Sequence, residues 1–371
     1  MCEALSKLHE VNFFHPFLSQ RTLNERLSFF YIEKRFCITR VVAFGPLEHK
    51  YLDFANRVIF FLQILFYLYF FKYDLVYTRD FSFLVFLSWL PRFLRPKKKI
   101  IYEPHKIYYY SSKKVNDLRL EIECVKLPDK FIAISHGVKQ DLVQLGAEVK
   151  KIEVVPNAVK VDKFSLEFDM DAFRKENNIS NDDVAITYTG SWETWKGVDV
   201  LIKAFARVLK KTGNCKLILV GGSKKDLINT RELIKSLEIC AERILLIGFV
   251  SQSEVAKYLK ISDIGVIPTV GKSAGLRYTS PLKLFEYMAA GLPIVASDLP
   301  STRELLKEDE AVFFEPESEY DLADKLTDLI NDKVKREKMR LLMRQRVKDF
   351  TYEERCRKVT EVINSAMRIH A

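Results

Sequence analysis

RYTSPLKLFEYMAAGLPIVASD, residues 277–298, reads as a helix running into a buried strand. Pro281 suits the first position of a helix, with Thr279 or Ser280 as its cap, and Gly291 suits the position just past the end. The spacing therefore predicts a helix over 281–290. Glu286 is the oddity in it. Leu284, Phe285, Tyr287 and Met288 surround it and leave little solvated face. A helix start holds phosphate through its free N–H groups and its dipole. Here those groups belong to Ser280 and Leu282. Glu286, between one and two turns further in, can then accept hydrogen bonds from a ribose diol. The ribose-binding acid of dinucleotide folds does the same work by another route.

Short apolar runs recur on either side of this stretch. They lie at 73–80, 99–105, 130–137, 152–159, 185–191, 216–223, 243–250, 264–269 and 293–298, mostly separated by segments with helical spacing. Strands alternating with helices imply parallel sheets covered on both faces, with ligands outside the carboxyl ends of the strands. Polar residues fall at those ends: Arg79, Glu103, His105, Asn157, Ser191 and Asp298. The run 160–183 is polar and poor in strand pattern. The expected fold is α/β, two Rossmann-like doubly wound domains facing a cleft. The domains are residues 1–157, on the acceptor side, and 158–351. A terminal helix at about 352–371 packs back on the first.

With 371 residues the chain exceeds what one core usually supports. Its net charge of +10 points to an anionic partner or surface and says little about activity. Cys2, Cys37, Cys124, Cys215, Cys240 and Cys356 are scattered without a Cys-x-x-Cys, which fits reduced thiols. No basic start followed by an apolar run marks a signal peptide. The apolar run 58–71 is too short for a spanning helix, which needs about 20 residues. It and the run 81–90, which leads into PRFLRPKKK at 91–99, give aromatics beside Lys and Arg, as a surface resting on an anionic bilayer has. No basic motif for nucleic acid is present.

The sequence resembles the retaining glycosyltransferases with the GT-B fold, family 4. The segments that carry the resemblance are SPLKLFEYMAAGLPIVASDLPSTREL (280–305), YTGSWETWKGVDVLIKAF (188–205), LVGGS (219–223), ISDIGVIP (261–268), AISHGVKQDLVQLG (133–146) and VVPNAVKVDKF (154–164). It implies a nucleotide-diphosphate sugar held mainly by the second domain and an acceptor held by the first. Glu286 matches the second glutamate of the family's Glu-x7-Glu pair; Tyr278 stands at the first. The amides of Thr279, Ser280 and Leu282 would meet donor sugar and phosphates. Lys196 matches the lysine that clamps the diphosphate, and Gly190 would let the backbone approach it. Ser191 stands where an arginine is frequent. His105 would reach the sugar or acceptor side, with Arg79 and Glu103 on the acceptor or phosphate side.

The reaction so implied retains configuration, with the leaving phosphate taking the acceptor's proton. It expects neither cofactor nor metal, because the helix end and Lys196 supply the positive charge. Expected partners are a nucleotide sugar, a cell-surface glycan or lipid-linked acceptor and an anionic membrane surface, with no nucleic acid. The expected location is the cytoplasm, peripheral on the inner face of the cell membrane. The opening residues match only the end of the family's first helix and its second strand. The first domain is therefore expected to lack its first strand, and roughly 25 to 30 further residues are expected upstream, enough for a strand, a turn and half a helix. Two alternatives accompany this reading: a non-catalytic nucleotide-sugar-binding homologue, and a sugar-nucleotide epimerase.

Overall fold

The computed structural model describes residues 5–16, 37–41, 50–105, 107, 114–270 and 280–368. The chain divides into two bodies, Met1–Pro156 with Tyr352–Ala371, and Asn157–Thr351.

In the first body β1 (Asn12–Pro16) pairs in parallel with β2 (Cys37–Val41). A separate parallel sheet runs β3 (Leu75–Thr78), β4 (Lys99–Tyr102), β5 (Lys130–Ala133), β6 (Ile152–Val154). Among the described residues no strand pairs with both sheets. The helices are α1 (Lys50–Phe70), α2 (Phe81–Trp89), α3 (Val115–Cys124) and α4 (His136–Gln144). Asp80 and Ser135 cap α2 and α4 by accepting from the N–H of Ser82 and of Val138. Each such cap satisfies one of the donors that a helix start leaves free.

The last helix, designated α13 (Tyr352–Arg368), belongs to the first body. Cys356, Val359, Val362 and Ala366 recur at helical spacing and pack on Leu5, Ile101, Ile132 and Val155. That apolar stripe holds the chain end against the sheet.

The second body has one six-stranded parallel sheet, from β7 (Val184–Thr189), β8 (Cys215–Gly222), β9 (Ile244–Gly248), β10 (Ile264–Ile267), β11 (Ile294–Ser297) and β12 (Ala311–Phe314). Its order is β12-β11-β10-β7-β8-β9. Two windings leave from β7 in opposite directions, so β7 and β10 flank the topological switch point where such sheets bind ligands. Helices α5 (Met170–Glu176), α6 (Val198–Lys211), α7 (Lys224–Ser236), α8 (Gln252–Lys260), α9 (Leu282–Ala290), α10 (Pro300–Arg303), α11 (Glu319–Asn331) and α12 (Lys333–Arg346) complete it. Leu201, Phe205 and Val208 of α6 and Leu322 and Leu326 of α11 fill one core. Leu284, Phe285 and Met288 of α9 and Met343 of α12 fill another. A helix layer on each face explains why β7, β8 and β10 are buried along nearly their whole length rather than at alternate residues.

Candidate functional site

The helix read from 277–298 begins one residue later than its sequence suggests. Pro281 is the cap, α9 proper starts at Leu282, and no side chain bonds its first turn. Pro281 contributes its carbonyl, which accepts from Leu284 at 3.0 Å. Ser280 does not cap the helix because its groups are engaged elsewhere. Its Oγ accepts from the Asn157 N–H at 3.0 Å and its carbonyl accepts from Asn157 Nδ2 at 2.9 Å. Asn157 thereby goes with the second body. At the far end Gly291 adopts φ 71, the left-handed conformation in which helices commonly stop. Thr279 and Tyr278 lie outside the described residues.

Tyr287 fixes the position of α9. It is fully buried, and its hydroxyl accepts from the N–H of Thr189, the last residue of β7, at 2.9 Å. Its neighbour Glu286 is thus held beside the switch point, partly buried. Burial raises its carboxyl above the usual value, against the charges of Lys163 and Lys283. An acid kept in such surroundings is a functional-site candidate.

Lys196 ends a single 3-10 turn, Thr194–Lys196, before α6. Its ammonium lies 3.6 Å from the centroid of the Trp195 ring. Burial lowers its pKa, with Glu193 opposing. The turn is set by Gly197, at φ +71, where a Cβ would stand 1.8 Å from the carbonyl oxygen of Pro268. The loop after β7 is therefore clamped to the loop after β10, and Val270 N–H donates to the Trp195 carbonyl at 2.9 Å. Gly190, just past β7, has φ +120. Ser191 donates from Oγ to Glu193, and its carbonyl accepts from the Tyr188 hydroxyl. Leu282 is exposed at the helix start.

One residue the sequence reading passed over belongs here. Lys283 is only 9% exposed, with its ammonium 3.5 Å from the centroid of the Tyr188 ring. Its side-chain end lies against Gly190, within 3.5 Å of where a Cβ there would be. In sequence it is a lysine in the first turn of a helix and reads as solvated; only the fold turns it inward.

A second group forms in the first body, where Arg79, Glu103 and His105 come together at the ends of β3 and β4. Glu103 is wholly buried. It accepts from Arg79 Nη2 at 2.6 Å, from Arg355 Nη2 at 2.9 Å and from the Tyr77 hydroxyl, and pairs with His105 Nε2 at 2.9 Å. Burial alone would raise its pKa. The hydrogen bond from His105, the charges of Arg355 and Arg79 and the Tyr77 hydroxyl outweigh that and bring it down to about 2. Glu103 is therefore held as an anion near neutral pH without exposed surface, and Arg79 and His105 are the partly exposed groups that it holds. No helix among the described residues is long and apolar enough to cross a membrane.

With this geometry in place, known proteins give a consistent comparison. Residues 169–346 match the family model described as "Glycosyl transferases group 1", and residues 1–163 the one described as "Glycosyltransferase Family 4". The amylovoran biosynthesis glycosyltransferase AmsK of Erwinia amylovora is 28% identical over 191 residues, 51% of this chain and 44% of that protein. The phosphatidyl-myo-inositol mannosyltransferase of Mycobacterium tuberculosis is 28% identical over 215 residues, 56% of this chain and 52% of that one. This chain spans about half the length of the curated relatives it matches. In fold it resembles Anabaena Alr3699/HepE, solved in complex with UDP, with a TM-score of 0.74 at 16% identity over 95% of this chain and 92% of that one.

Proposed function

We propose that the chain is a retaining glycosyltransferase of the GT-B fold, family 4, a reading supported by the two glycosyltransferase family models that match its two halves. It would move a sugar from a nucleoside diphosphate sugar to a glycan or lipid-linked acceptor. One observation carries this reading: a helix start without a side-chain cap brings Lys283 against Gly190 at the end of β7, within electrostatic reach of both Lys196 and the partly buried Glu286. The solved complex of Alr3699/HepE with UDP supports the choice of donor class.

In this proposal Glu286 accepts hydrogen bonds from the ribose hydroxyls. Lys196 and the N–H groups at Leu282 and Ser280 hold the diphosphate, and Gly190 lets the backbone come close to it. These donors are fixed before reaction and face the charge that grows on the departing nucleotide, a large contribution in many active sites. The bond between the sugar's anomeric carbon and the phosphate oxygen breaks as the acceptor oxygen bonds to that carbon on the same face. The acceptor's proton passes to the leaving phosphate oxygen, so no side-chain base is required. Arg79 and His105, held by Glu103, would serve the acceptor side.

A lipid-linked acceptor fits the surface of the first body. On α1, Phe61, Leu65 and Leu68 turn inward, while Leu62, Phe66 and Phe70 are exposed, the last at 73%. Phe93 is 82% exposed, and the Tyr69 hydroxyl donates to the Leu94 carbonyl at 2.6 Å, which places both segments on one side. Arg92 and Lys97 are exposed there. Aromatics rimmed by cations suit an anionic bilayer at the membrane's inner face.

The test is transfer from a panel of nucleotide sugars to lipid extracts, with the anomeric configuration of the product read by NMR. A product with the donor's configuration supports the proposal and an inverted one contradicts it. Binding without transfer would favour a non-catalytic binder, and donor conversion without acceptor an epimerase.

A further inference from the structure

Lys283 presents a buried cation without an anion. Among the described residues its ammonium makes no hydrogen bond or ion pair, and it lies on the face of Tyr188. A ring face replaces only part of what water gives an ammonium. Its surroundings add to the cost. Burial holds its pKa well below that of an ordinary lysine, the charge of Lys196 lowers it further, and Glu286 and Glu193 offset this in part. A methionine would fill the same volume without that cost.

The place of the ammonium says what it is kept for. It abuts Gly190 at the carboxyl end of β7, in the first turn of α9, within electrostatic reach of Lys196. Two cations from different elements thus converge on a start of α9 that no side chain caps. One ammonium beside a helix start is enough for a single phosphate; two match the charge of linked phosphates.

We propose that Lys283 is a ligand-binding residue that, together with Lys196, holds the diphosphate of the donor. This rests on the donor class proposed above and adds a second, buried cation to its site. The ligand then supplies the anion that the fold withholds.

The experiment titrates UDP, GDP, inorganic pyrophosphate and uridine into the wild type and Lys283→Met, with melting of both without ligand. The expected result is a loss of about 10- to 100-fold in affinity for the nucleoside diphosphate and for pyrophosphate, as for a lost charge-assisted hydrogen bond. Weak binding of uridine should not change, and the ligand-free variant should melt no lower than the wild type. A packing role predicts the reverse: lower melting and unchanged affinity. Full affinity in a folded Lys283→Met overturns the proposal. If that variant does not fold, Lys283→Gln replaces it, and failure of both to fold makes the lysine structural and overturns the proposal too. A wild type that binds neither nucleoside diphosphate nor pyrophosphate overturns the donor reading itself, a result distinct from wild-type binding that Lys283→Met keeps.

Discussion

Arg355 donates from Nη2 to Oε2 of Glu103 at 2.9 Å, across a sequence separation of 252 residues. Both side chains are buried, and Arg355 Nε also donates to the Pro156 carbonyl at 2.7 Å. One carboxylate thereby ties the last helix to the sheet and orients Arg79 and His105.

Glu103→Gln should cost on the order of 3 kcal/mol, since it leaves the Arg355 guanidinium buried without its anion. The folded pKa of Glu103, about 2, lies below the ordinary 4.5. Protonation therefore favours the unfolded chain. The stability this acid contributes is full above pH 4.5 and is lost as pH falls toward 2. Urea melts between pH 2 and 7 should show a shallower acid slope in the variant; equal slopes would mean that Glu103 is not held as an anion.

Gly197→Ala should destabilise the second body by about 2–4 kcal/mol, from a left-handed φ and a Cβ driven into the Pro268 carbonyl. The same change should displace Lys196 and weaken nucleotide binding beyond the loss of stability. Calorimetric melting with binding at a temperature where the variant is folded checks both. A variant as stable as the wild type would show that the clamp between the two loops is not needed.

Flotation with anionic vesicles should exceed that with neutral ones and fall as salt is added. Each basic residue near such a surface contributes about 1 kcal/mol, screened over roughly 8 Å at physiological salt. Replacing Phe70 and Phe93 together by serine should reduce it further. Equal flotation on neutral vesicles would contradict the role given to Arg92 and Lys97.

Much of this was legible from sequence, for physical reasons that also mark where legibility stops. Strands β3 to β11 are apolar runs closed by polar or small residues, and both features are local. Glu286 stood out because an acid among Leu284, Phe285, Tyr287 and Met288 breaks a helical pattern. Strand β12, AVFF at the sheet edge beyond β11, is as short and apolar as several strands that are legible, and the sequence reading passes over it all the same. Asn157 reads as a strand end, but nothing local foretells its hold on Ser280 or that of Arg355 on Glu103. Each joins residues far apart in sequence, and such contacts leave no local signature. For Lys283 the local signal points the wrong way, because a lysine in a first turn is ordinarily solvated.

The most direct measurement of the central claim is a thermal-shift screen of nucleotide sugars on the wild type and Glu286→Ala. A ligand that binds only the folded chain stabilises it by about 2.7 kcal/mol at a hundred times its dissociation constant. The account predicts that at least one nucleoside diphosphate sugar raises the melting temperature of the wild type. It predicts that Glu286→Ala, folded and melting near the wild type without ligand, loses that shift or needs about 10- to 100-fold more ligand to reach it. No shift with any nucleotide sugar, or an equal shift in the variant at equal concentration, would contradict a donor site at Glu286.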